Sequence, residues 1–229
     1  MTETYLDTIQ FQPDYENLTK RLRLRPGSPM FEDFNAFFDE TVKIARPKVF
    51  YKVAFTDGND SNSVVIDGIR FESRVLCVNL AEVHRVFAYL ATCGVELAEQ
   101  RARETDILRQ FWADAMMEAA LQSAMGVLRE DMITRYQVGK TSAMNPGSLP
   151  DWPISQQKPF FELLGTTANR TGVRLTESML MVPAKSTTGL FFETESEFVN
   201  CQLCPRKNCP NRRAGYDQDL YGARYNNPD

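Results

Sequence analysis

The feature that most restricts this chain is a helical pattern through residues 103–135. Ile107, Leu108, Phe111, Met116, Leu121, Met125, Leu128 and Met132 supply its apolar positions. A helix of that length needs a broad surface to lie on, and its methionines read as gap-filling core rather than as ligands. A second helix is predicted in "GSPMFEDFNAFFDETVKIARP". Ser28 is placed to cap it, Pro29 occupies the first position, Phe31, Phe34, Phe38 and Val42 recur at helical spacing, and it should stop before Pro47.

Strand-like runs lie between these helices. "KVFYKVAF" (48–55) is β-branched and aromatic and leads into a polar loop, "TDGNDSNS". "VVIDGIRF" holds Asp67-Gly68, a strong turn dipeptide between two short strands. "RVLCVNL" (74–80) reads as a further strand, and "AEVHRVFAYLATCGVELAEQ" as a helical pattern interrupted at Gly94. Residues 139–155, rich in proline and glycine, read as loop, after which Ser155 is placed to cap a helix over "QQKPFFELL". Short strands are expected again around Pro183 and Gly189. Beyond Phe198 the chain is too polar to build a core of its own. The expected division is an α+β domain over 1–197 and a cysteine-rich, metal-binding extension over 198–229.

With 229 residues, 43% hydrophobic and 24% charged, the chain has the composition of an ordinary soluble domain. A net charge of -4 argues against bulk electrostatic binding to nucleic acid or anionic membrane. No apolar run approaches the roughly 20 residues that a membrane span needs. The first residues, "MTETYLDTIQFQPD", lack the layout of a signal peptide, so a cytoplasmic location is expected, with thiols kept reduced. "VGKTSAMNPGS" lacks the earlier glycine of a phosphate loop, and a single histidine gives little support to a Ser/His or Cys/His pair.

The segment "GVRLTESMLMVPAKSTTGLFF" resembles the activation (reactivation) domain of cobalamin-dependent methionine synthase. Gly172, Leu175, Thr176, Glu177, Ser178, Met181, Pro183, Ser186 and Gly189 match the family pattern without a gap. "NPGSLPDWPISQQKPFFELLG" is similar to the family's Pro-Gly loop and following helix, and "LATCGVELAEQ" to a turn of its stand-alone relatives. The resemblance implies an α+β fold with an antiparallel sheet flanked by helices, one of them the long helix near 103–135. It also implies S-adenosylmethionine binding and service to a cobalamin (corrinoid) carried by a partner protein or methyltransferase. No cobalamin-binding Asp-x-His-x-x-Gly loop is present here. On this basis loop 143–151 and segment 172–189 line a ligand cleft. Asn145, Pro146, Gly147, Ser148, Glu177, Ser178, Lys185 and Ser186 are its candidate residues, with Glu118 on the long helix as a further acidic one.

The sequence departs from the family where the ligand should be anchored. The family's Arg-x-x-Pro-Gly-Tyr becomes Ala143 and Ser148 around Pro146-Gly147. A guanidinium–carboxylate bond is among the strongest handles on a small molecule, and alanine cannot replace it. Lys140 and Arg135 are nearby cations that could substitute. A second reading therefore stays open, a partner-binding or regulatory module that no longer takes S-adenosylmethionine.

"CQLCPRKNCPNRR" places three of the five cysteines at Cys-x2-Cys-x4-Cys spacing. Such a pair can bring two thiolates to one metal, and proline after cysteine recurs in iron–sulfur loops. Arg206, Lys207, Arg212 and Arg213 would offset thiolate charge. Cys201, Cys204 and Cys209 are thus candidate ligands of an iron–sulfur cluster that would supply the electron of reactivation. The alternatives are a zinc site or a disulfide in a polar tail. A fourth ligand is not evident, because Cys77 and Cys93 read as core and His84 as a packed or surface residue.

Overall fold

The computed structural model describes residues 2–195, 198–209 and 212–226. Strand β1 (Glu3–Leu6) and helices α1 (Tyr15–Arg21) and α2 (Pro29–Ile44) come first. Ser28 caps α2 as expected, its hydroxyl accepting the Phe31 N–H at 3.2 Å. Strand β2 (Lys48–Asn59) runs four residues into the segment expected as a loop. It turns through a bulge at Thr56/Gly58 and pairs with β3 (Ser63–Ile66), which returns through Asp67-Gly68 as β4 (Ile69–Glu72). Asp67 and Gly68 both have positive φ, as a tight hairpin requires.

The next two elements differ from the sequence reading. Residues 74–79 form helix α3 (Arg74–Asn79), because the Ser73 hydroxyl accepts the Leu76 N–H and sets the chain into a turn. Residues 85–92 form strand β5 (Arg85–Thr92). Its last seven residues are buried on both faces, so no polar alternation marks it as a strand. His84 therefore lies exposed ahead of a strand, not on a helix. The helical pattern holds only past Gly94, in α4 (Val95–Arg103).

Helix α5 (Ile107–Tyr136) is the long helix, capped by Asp106. Its first turn departs from expectation, since Ile107 and Phe111 are 83% and 56% exposed and supply no core. The loop after it contains strand β6 (Thr141–Met144). Helix α6 (Gln157–Leu164) follows a single 3-10 turn at Ile154–Gln156 and takes no cap from Ser155. The chain closes with a small hairpin, β7 (Arg174–Leu175) and β8 (Met181–Val182), then β9 (Ser186–Glu193) and the tail helix α7 (Leu220–Tyr225).

Seven strands make one antiparallel sheet in the order β4-β3-β2-β5-β9-β6, with β1 beside β2. Alternation sends Phe50, Ala88, Leu90, Leu190 and Met144 to one face, under Trp152, Phe160 and the residues of α3. Val49, Tyr51, Phe87, Tyr89, Ala143 and Phe191 face the other way, against Leu121, Met125, Leu128 and Met132 of α5. Trp112 and Met116 of α5 pack with Phe34 and Phe37 of α2 and with Leu97 of α4. From the tail, Phe198, Leu203 and Tyr225 are buried in the same cluster as Trp152. No helix of the described residues is long and apolar enough to cross a membrane.

Candidate functional site

The end of β6 builds the first wall of a cleft. Past Met144 the chain turns through Asn145–Ser148, with the Gly147 N–H on the Trp152 carbonyl at 2.7 Å and the Ser148 N–H on the Asn145 carbonyl at 3.1 Å. Gly147 has φ +86°, and a Cβ there would stand 3.3 Å from Ile154, so conformation and space both favour glycine. The β7–β8 hairpin supplies the second wall. Its turn is closed by the Thr176 N–H on the Leu180 carbonyl at 2.9 Å and the Leu180 N–H on Thr176 Oγ1 at 3.1 Å. Thr187 and Thr188 of β9 and Gln157 of α6 complete a cleft of about 700 Å³.

Polar groups fix the floor of this cleft. Asn145 Nδ2 donates to the Tyr89 hydroxyl at 2.7 Å and to the Thr188 carbonyl at 2.6 Å. Gln157 accepts from Thr188 Oγ1 at 2.8 Å and donates to the Pro146 carbonyl at 3.3 Å. Gly189 makes the approach possible, because a Cβ on it would lie 2.4 Å from Asn145 Nδ2 and 2.7 Å from the Tyr89 hydroxyl. Burial pushes the Tyr89 phenol above its usual range; the Asn145 hydrogen bond and the charges of Arg129 and Arg213 act in the opposite direction. The lining is otherwise Met179, Leu180, Met181, Val182, Ala184 and Ile154, and among the described residues it contains no charged side chain.

Of the residues expected at the cleft, the structure brings Asn145, Pro146, Gly147 and Ser148 to its lining. The other candidates stand outside it. Glu118 and Lys185 form an ion pair at 2.9 Å between α5 and the start of β9. The Ser186 hydroxyl lies 2.8 Å from Thr92 Oγ1 and 2.7 Å from the Pro183 carbonyl. Glu177 and Ser178 are exposed at the hairpin tip, where the Ser178 hydroxyl is 3.0 Å from that of Thr176. Neither proposed substitute cation lines the cleft. Arg135 is committed to Asp131, one turn away on α5, at 3.0 Å. The sequence does not single out Tyr89 or Gln157: Tyr89 lies in a strand whose pattern reads as helix, and Gln157 reads only as part of the helix over "QQKPFFELL".

The cysteine loop is held by an arginine. The Arg212 guanidinium donates to the carbonyls of Cys201 at 3.0 Å, Cys204 at 3.1 Å, Ala214 at 3.1 Å and also Arg206. Cys201 Sγ accepts the Arg213 N–H at 3.4 Å. Burial would raise this thiol, but the N–H groups of Arg213 and Ala214 and the two arginine charges outweigh it and hold it below its ordinary range. All three cysteines are free and half-buried. Among the described residues no three His, Cys, Asp or Glu side chains converge as a metal site. Cys77 and Cys93 are core residues, and burial pushes the Cys93 thiol up to about 12.

A search of curated proteins found no match. Among solved structures, the crystal structure of the MetH reactivation domain bound to AdoHcy matches with a TM-score of 0.61 at 15% identity. The match covers 86% of this chain and 80% of that one, a likeness of fold. The sequence profile described as vitamin B12 dependent methionine synthase, activation domain, matches residues 90–212, from β5 through the cleft to the cysteine loop. With more than half of its 229 residues inside that match, the chain belongs to the family of the vitamin B12 dependent methionine synthase activation domain.

Proposed function

We propose that this protein assists reductive reactivation of a corrinoid protein, holding S-adenosylmethionine in the cleft between Asn145–Ser148 and the β7–β8 hairpin. One observation carries the reading: the two segments that resemble the family ligand loop and signature meet across a single cleft. Its apolar side, Met179 to Val182 and Ile154, suits a nucleoside and a thioether-like sulfur. The Ser148 and Thr187 hydroxyls and the Asn145 side-chain carbonyl offer hydrogen bonds to ribose and base. The likeness to a reactivation domain bound to AdoHcy supports the same choice of ligand. Reactivation needs one electron and one methyl group, and this chain's part is to bind and orient the methyl donor against a corrin carried by a partner.

The test is a single-turnover methyl transfer. A cobalamin-loaded module of a methionine synthase lacking its own activation domain is mixed with a chemical reductant and S-adenosylmethionine labelled in the methyl group. The chain is expected to accelerate transfer of label to the corrinoid, and an unchanged rate would sink the reading. The second reading, a partner-binding module without S-adenosylmethionine, is favoured by the uncharged lining and by Leu180, 56% exposed at the cleft. It is recognised if the chain binds the cobalamin module but takes no S-adenosylmethionine.

In this reading the electron is left to a separate donor, and no step passes through Cys201, Cys204 and Cys209. Metal and sulfide analysis of anaerobically purified protein checks that assignment. Stoichiometric iron with acid-labile sulfide would bring an electron relay into this chain, whereas stoichiometric zinc would make the loop structural.

A further inference from the structure

S-adenosylmethionine ends in a zwitterion, and the cleft that the reading above assigns to it has no charged lining residue. The strand beside the cleft carries Ala143, which pairs with Phe191 of β9 and faces α5. The Phe191 ring stacks on Tyr89, with centroids 4.8 Å apart and an interplanar angle of 25°. The Tyr89 hydroxyl in turn receives the Asn145 amide of the cleft.

Arg129 of α5 sits over this group, its guanidinium carbon 5.7 Å from the Phe191 centroid. The other arginines of α4 and α5 are all paired: Arg101 with Asp114, Arg103 with Glu99, Arg109 with Asp33 and Arg135 with Asp131. Arg129 makes no such pair among the described residues and is exposed. A guanidinium resting on an aromatic face is weakly hydrated and keeps its N–H fork free for bidentate binding of a carboxylate.

We propose that Arg129, which stands outside the lining but beside Ala143 and Phe191, binds the carboxylate of a ligand that extends out of the cleft, supplying from α5 the positive charge that position 143 does not. The proposal rests on the S-adenosylmethionine reading of the cleft.

Calorimetry with two ligands separates the claims. S-adenosylmethionine carries the carboxylate, whereas methylthioadenosine keeps the nucleoside and sulfur without it. Arg129→Gln is expected to weaken S-adenosylmethionine at least tenfold and leave methylthioadenosine unchanged, with Arg129→Lys recovering part of the loss. An unchanged melting temperature certifies that the exposed substitution leaves the fold intact. If Arg129→Gln binds S-adenosylmethionine as tightly as wild type, the assignment of Arg129 is overturned and the cleft reading stands. Equal wild-type affinity for both ligands also overturns it. If wild type binds neither ligand, the cleft reading fails and takes the role of Arg129 with it.

Discussion

Gly189 shows how closely the site depends on single atoms. Its missing side chain lets Asn145 reach Tyr89 and the Thr188 carbonyl, and any Cβ there would meet three heavy atoms at under 3.0 Å. Gly189→Ala is therefore expected to cost about 1–3 kcal/mol, as overpacking of a tight core does. It should also weaken ligand binding, because Asn145 must move. Tyr89→Phe is milder. It removes one of the two acceptors of the Asn145 amide and is expected to cost about 1 kcal/mol in chemical denaturation. At this scale the family pattern pointed to Gly189 and Gly147, both of which shape the cleft, whereas Glu177, Ser178 and Ser186, marked by the same pattern, lie outside its lining. It was silent on Tyr89, whose role depends on strand pairing between residues a hundred positions apart.

Among the elements, α5 is both the most legible and the most instructive. Its apolar spacing located the helix to within a few residues, yet periodicity does not reveal which end of a long stripe is covered. Ile107 and Phe111 continue the pattern beyond the packed surface and stay exposed, while Trp112 is buried 5.3 Å from the Phe34 ring and 5.9 Å from that of Phe37, centroid to centroid. Ile107→Ser should change stability by no more than about 0.5 kcal/mol, in keeping with a surface position. Trp112→Ala should cost about 3–5 kcal/mol as a large aromatic lost from the core. Strand β5 was illegible for the opposite reason: covered on both faces, it has no polar side to declare a period of two. At the end of β9, hydrogen bonds from Arg85 at 2.6 Å and from the Gly139 N–H at 3.1 Å hold the Glu193 carboxyl below the usual range. A carboxyl depressed in the folded state stabilises above its unfolded pKa and loses that contribution as pH falls through the folded value. Glu193→Gln should therefore cost less than about 1 kcal/mol at neutral pH, the pair being half-exposed, with the difference from wild type closing on acid titration.

For the molecule as a whole, the tail joins the body more closely than its composition suggested. Tyr225 is 1% exposed, its hydroxyl donates to Asn79 Oδ1 at 3.2 Å, and its carbonyl accepts from Arg74 at 3.1 Å. Tyr225→Ala is expected to lower the stability of the entire chain by about 3–5 kcal/mol, a large share of the ~5–15 kcal/mol typical of a domain. A melt in which only a minor early transition shifts would instead mark the tail as an independent unit. The polarity of residues beyond Phe198 hid this, because three buried apolar side chains among the described residues seat the tail in a core that already exists. The central claim is that the cleft between Asn145–Ser148 and the β7–β8 hairpin takes S-adenosylmethionine, and titration calorimetry of that ligand into the 229-residue chain tests it most directly. Saturable one-to-one binding, accompanied by a rise in melting temperature, is the expected result. No heat and no thermal shift at millimolar ligand would contradict it.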